Sequence, residues 1–261
     1  MRADHREALE TTVAETRADD GLIACILAGS VAKGWERPDS DVDVVVVATE
    51  AEYERRRAEW DLQFYDVRET SHGEVPVDGK VVDVAFLEEV AAEGSEPARA
   101  AFVDVDVRYT DDPAIPDLVS EIATYPTDEK TERIETFYSQ MQAYRWYVGE
   151  AEKRDNTYLA HHTAAQLALF GGRLLLANDE TLFPYHKWFP RMLAAADDKP
   201  DETMALFETL LAERTTDAAD AFVTAIEDHR EWETPEVGWP VRFLLDREWQ
   251  WRDGQPALEE L

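Results

Sequence analysis

The sequence holds a single cysteine, Cys25, only six lysines and no long apolar run. One cysteine excludes an internal disulfide and a cysteine-based zinc site, and it fits a reducing compartment. Basic residues are scarce: 26 Lys plus Arg stand against 57 Asp plus Glu, for a formal charge of -31. Affinity for a phosphate backbone comes from Lys and Arg displacing counterions, and no basic patch of that density occurs, so a nucleic-acid partner is not expected. No segment approaches the roughly 20 apolar residues of a membrane span. The opening "MRADHREALETTVAETRADD" is charged and helical in pattern, without the apolar centre of a signal segment. A soluble cytoplasmic protein with no membrane partner is the expectation. Internal repeats and low-complexity segments are absent as well.

What is present is core material. The chain is 44% hydrophobic, with 8 Trp, 9 Tyr and 10 Phe, so its acids must form a solvated surface over a folded body. They are spread along the whole chain, which distinguishes them from a disordered acidic tail. A surface of this sign repels itself in dilute buffer. At ~1 M salt the screening length falls to about 3 Å and the repulsion largely vanishes, which points to a halophilic protein from a salt-rich cytoplasm.

The texture of the 261 residues changes partway. Residues 3–19 read as an amphipathic helix, and "LIACILAG", "DVDVVVVA", "LQFYDVRE", "KVVDVAFLEE" and "VDVRYTDD" read as short strands. Helical stretches near 51–60 and 88–101 lie between them. From "DDPAIPDL" onward strand signals stop, and helical patterns follow at 116–124, 129–153, 157–177, 186–196, 201–213 and 215–231. The reading is α+β: a mixed β-sheet with flanking helices over residues 1–115, then a helical bundle over 116–261. The aromatic tail from residue 234 is expected to pack down.

In "LAGSVAKGWERPDSDVDVVVV", at 27–47, Asp41 and Asp43 head a run of valines. In so acidic a chain a lone Asp-x-Asp carries little information, and "FVDVDVRY" repeats the pattern with Asp104 and Asp106. The context separates the two pairs. Before the first pair, a buried strand ends at Gly29–Ser30, a turn whose free backbone N–H groups and small hydroxyl suit phosphate oxygens. Gly29 permits close backbone approach, and Lys33 lies one helical turn on. Asp41 and Asp43, two apart, project from one face of the next strand. Side by side they call for a cation between them, and hard oxygen ligands suit Mg2+ or Mn2+. A third acid from a neighbouring strand would complete the set, and Asp83, embedded in "KVVDVAFLE", is the candidate.

"GSVAKGWERPDSDVDVVVV" followed by "VVDVAF" resembles the nucleotidyltransferase superfamily of the polymerase-β type. Its "GS..(R/K)G....SD(V/I)D" form is similar to small bacterial and archaeal members, including aminoglycoside and lincosamide nucleotidyltransferases and the minimal nucleotidyltransferases of toxin–antitoxin pairs. The resemblance covers residues 22–110 and is specific over 27–47. It implies Mg2+-dependent transfer of a nucleoside monophosphate from an NTP, ATP being the expected one, to a hydroxyl acceptor with release of pyrophosphate. Asp41, Asp43 and Asp83 would be catalytic and hold the metal, with Asp83 also serving as base. Gly29, Ser30, Lys33 and Ser40 would bind the nucleotide. A homodimer is compatible with it. The rival is a catalytically silent NTP-binding regulatory module or an antitoxin-like partner protein.

The resemblance further implies that the helical part closes the cleft and supplies the acceptor pocket. Lys187, in "FPYHKWFP", is counted among the nucleotide-binding candidates against the alternative of a snorkelling surface lysine. Phe137, Met141, Tyr144 and Val148 share a helix face and read as core. Glu150 and Asp155 are open alternatives for the base. Arg154 and His161 faintly resemble the Arg...His motif of HEPN-type helical ribonucleases, though a surface or packed histidine is the commoner reading.

Overall fold

The computed structural model describes residues 1–252 and 254. The chain divides into two compact units, Met1–Thr124 and Tyr125–Leu261. The first contains α1 (Ala3–Ala18), β1 (Leu22–Leu27), α2 (Gly29–Ala32), β2 (Val42–Ala48), α3 (Glu50–Glu59), β3 (Gln63–Thr70), β4 (Gly73–Val82), α4 (Val84–Glu93), α5 (Glu96–Ala100), β5 (Asp106–Thr110) and α6 (Ile115–Ile122). The strands form one mixed sheet in the order β3-β4-β2-β1-β5. β2 and β4 run parallel, and the other neighbours are antiparallel.

Alternation along the strands assigns each residue to a face. Cys25 and Leu27 of β1, Val42, Val44 and Val46 of β2, and Val75 and Val77 of β4 pack with Ala8 and Leu9 of α1. On the opposite face, Ala24, Ile26, Val47 and Val82 pack with Leu87 and Val90 of α4 and Ile115, Val119 and Ile122 of α6. The sequence reading grouped α6 with the helical part, but its apolar side belongs to the sheet core.

β4 begins earlier and ends earlier than the expected strand over "KVVDVAFLEE". It pairs with β3 from Thr70↔Gly73 to Gln63↔Lys80, as an antiparallel hairpin. The strand contains Gly73, Pro76 and Gly79. Pro76 is tolerated because the ladder to β2 begins only at Val77. Gly79 is required because the Phe64 ring lies across it: a Cβ there would stand 2.0 Å from Phe64 Cζ. After Val82 the chain turns into α4, capped by the Asp83 side chain, whose Oδ1 accepts from the Phe86 N–H at 2.8 Å.

The second unit is helical: α7 (Lys130–Lys153), α8 (Thr157–Asn178), α9 (Phe189–Ala195), α10 (Thr203–Glu213), α11 (Thr216–His229) and α12 (Trp239–Phe243). Phe137, Met141, Tyr144 and Val148 are buried, as their spacing on α7 indicated. Tyr144 stacks on Phe170 of α8 with centroids 5.7 Å apart. At Gly171 and Gly172 the rings of Phe222 and Phe189 press against the α8 backbone, at 2.5 and 2.4 Å from where a Cβ would sit. Within the aromatic tail, α12 lies against α7, with Arg242 bonded to Thr136 and Asp246. The rest of that tail, residues 253 and 255–261, falls outside the described residues.

Gly79→Ala should lower folding stability by about 1–3 kcal/mol, since Phe64 must leave its place over β4. Denaturant unfolding of the variant and the parent protein measures the difference.

Candidate metal and nucleotide site

β1 is antiparallel to β2, so the end of β1 and the start of β2 lie at the same edge of the sheet. The chain leaves β1 at Ala28, whose N–H donates to the Asp43 carbonyl at 2.9 Å, and turns at Gly29. Gly29 has φ +65°, a conformation that L side chains adopt at a cost. Space makes the same demand: a Cβ on Gly29 would lie 1.8 Å from Asp43 Oδ2. The Gly-Ser turn therefore presses directly on the second aspartate of the pair. Ser30 is buried in the single turn of α2.

The parallel ladder between β2 and β4 places Asp43 opposite Asp78. One carboxylate oxygen from each of Asp41, Asp43 and Asp78 lies within 4.8 Å of the others, and all three residues are half-buried. Asp43 and Asp78 project on the face that α4 and α6 cover farther along, at Val47 and Val82. At the acidic end of that face Tyr65, paired with Asp78, is 62% exposed. Three converging carboxylates repel one another unless a cation joins them. An all-oxygen donor set of this kind can hold a divalent ion and suits Mg2+ or Mn2+.

Asp83 is not part of this set. The register pairs Val82 with Val47 at the far end of β2, which puts Asp83 five residues, about 16 Å, beyond Asp78 along the strand. Its carboxylate caps α4 and lines a shallow groove with Ile23, Thr49, Tyr53 and Phe86. Asp78 occupies the position that the sequence reading gave to Asp83. A signal for it existed: in "GEVPVDGKVV", Val75, Val77 and Val81 alternate with Glu74, Asp78 and Lys80, the period of a half-buried strand.

The remaining candidates have neighbours of their own. Lys33 directs its ammonium to the Val103 carbonyl and lies 5.7 Å from the Trp35 ring centroid. Burial pushes its pKa down, while Asp104 opposes that shift. Ser40 closes the loop before β2, its Oγ accepting from the Arg37 N–H at 2.9 Å. Lys187 is exposed in the second unit, with its ammonium 5.1 Å from the Trp188 ring centroid. Of the second Asp-x-Asp, Asp104 adopts φ +56° beside Lys33 and Asp106 pairs with Arg108 at 2.9 Å. Glu150 holds Lys153 and Arg154, at 3.0 and 2.9 Å. His161 is exposed on α8.

The contact between Gly29 and Asp43 yields a prediction. Gly29→Ala should cost about 1–3 kcal/mol from the left-handed backbone, plus the overlap with Asp43. A double-mutant cycle with Asp43→Ala, read by denaturant unfolding, should recover the overlap part and leave the backbone part.

Residues 9–128 match the nucleotidyltransferase domain family. None of the curated proteins compared matches the chain. Among solved structures, the chain is similar to a nucleotidyltransferase-like protein from Exiguobacterium sibiricum. The identity is 12% and the TM-score 0.49, over 94% of this chain and 78% of that one. The match over residues 9–128 takes in nearly all of the first unit, which is similar to the nucleotidyltransferase domain family.

Proposed function

We propose that the protein transfers a nucleoside monophosphate from an NTP to a hydroxyl acceptor, using Asp41, Asp43 and Asp78. The observation that carries this reading is the joint geometry of the three carboxylates and the Gly29 turn that presses on Asp43. Gly29 and Ser30, at the start of α2, seat the phosphates. Asp41 and Asp43 meet them from β2, and Asp78 lies on the far side, toward β3. A divalent cation bound by the three would neutralise the phosphate oxygens and polarise the acceptor hydroxyl. In the reaction the acceptor oxygen forms a bond to the α-phosphorus and the bond to pyrophosphate breaks. Asp78, in the place first given to Asp83, takes the acceptor's proton.

The charge of -31 further supports a salt-rich cytoplasm as the working environment and a small, non-nucleic-acid acceptor. ATP and Mg2+ are the proposed nucleotide and metal.

The test uses the full chain in ~1 M KCl, where surface repulsion is screened, with Mg2+ and α-labelled ATP, GTP, CTP or UTP. Pyrophosphate release and label transfer to a panel of hydroxyl compounds are measured. Asp43→Asn and Asp78→Asn should each lower turnover by about 100-fold or more. Asp83→Asn should leave it near the parent value, because asparagine caps a helix as well as aspartate does. Metal-dependent NTP binding with neither product would sink the transferase reading in favour of a silent binding module.

A further inference from the structure

The outermost strand of the sheet reaches into the carboxylate cluster. Gln63 opens β3, and its Nε2 donates to Asp78 Oδ1 at 3.0 Å. The register accounts for this contact: Tyr65 lies opposite Asp78 and Gln63 opposite Lys80, so Gln63 and Asp78 are diagonal neighbours on one face.

Some acids of the first unit are held by arginine, as Glu15 is by Arg68, Glu52 by Arg55 and Arg56, and Asp106 by Arg108, and others accept from neutral donors, as Glu7 does from Ser71. Among the described residues, Asp78 accepts from the neutral amide of Gln63. A guanidinium or ammonium at this point would compete with a bound cation for the carboxylate. An amide fixes one oxygen and leaves the full negative charge available. On the opposite flank, Gly29 packs against Asp43. The two metal-facing strands are thus braced from both sides, by a backbone turn at β1 and by a side chain from β3.

We propose that Gln63 is a positioning residue, which orients the Asp78 carboxylate toward the cation without neutralising it. This rests on the metal-site reading of Asp41, Asp43 and Asp78. Residues that hydrogen-bond to metal ligands typically change metal affinity by about 10–100-fold when removed. Gln63 is exposed, so the low end of that range applies.

Mn2+ binding to the full chain, followed by the electron paramagnetic resonance signal of free Mn2+, tests the proposal without an acceptor or turnover. Gln63→Met keeps the shape and removes the donor. It should weaken Mn2+ binding by about tenfold while the melting temperature of the metal-free protein stays at the parent value. Asp78→Asn should abolish tight binding and Asp83→Asn should leave it intact. If Asp78→Asn loses Mn2+ and Gln63→Met binds it like the parent, the role of Gln63 is overturned and the site stands. Parent-like binding by Asp78→Asn overturns the site itself. A lowered metal-free melting temperature in Gln63→Met, with an affinity loss no larger than that destabilisation explains, assigns Gln63 a structural role and overturns the proposal.

Discussion

The candidate site depends on one pairing register, the parallel alignment of β2 and β4 that sets Asp43 opposite Asp78. Side-chain direction in a strand has a period of two, so a slip of one residue would send one of the carboxylates through the sheet into the apolar layer under α1. Hydrophobic burial prevents that slip. Val42, Val44 and Val46 on β2 and Val75 and Val77 on β4 fill the α1 face, and moving either strand by one would exchange valines for acids. The core thus stabilises an arrangement of charges that is unfavourable without a cation.

The same division explains why the acids lie at one end of their face. Val47 and Val82 occupy the other end, under α4 and α6. The chain leaves β4 at Asp83, which is consumed in starting α4, and returns through β5 and α6 to cover that half. The other end carries Asp41, Asp43 and Asp78, with Gly29 and Gln63 against them. Catalytic metal sites need such a division, with rigid ligands on strands and an open side for substrate.

Much of this could be read from the chain before folding. The change from period two to period 3.6 separated the sheet from the helices, and the Gly-Ser turn distinguished Asp41 and Asp43 from Asp104 and Asp106. The third acid was misplaced because strand propensity favoured "KVVDVAF" over "GEVPVDGKVV", where two glycines and a proline suggest a loop. Those residues have tertiary reasons. Gly79 lies under the Phe64 ring, and Pro76 precedes the ladder to β2. Neither reason is visible without the partner strands. Lys33 and Ser40, which the resemblance assigns to the nucleotide, bond in the structure to the Val103 carbonyl and the Arg37 N–H, contacts that their spacing does not disclose.

Everything proposed for this site requires a metal seat formed by Asp41, Asp43 and Asp78. Anomalous scattering from crystals grown with Mn2+ and a non-hydrolysable ATP analogue tests it most directly. Mn2+ peaks should lie within bonding distance of these three carboxylates, with the triphosphate extending toward Gly29 and Ser30. Mn2+ bound at Asp83, or nucleotide bound with no metal at Asp43 and Asp78, would contradict it.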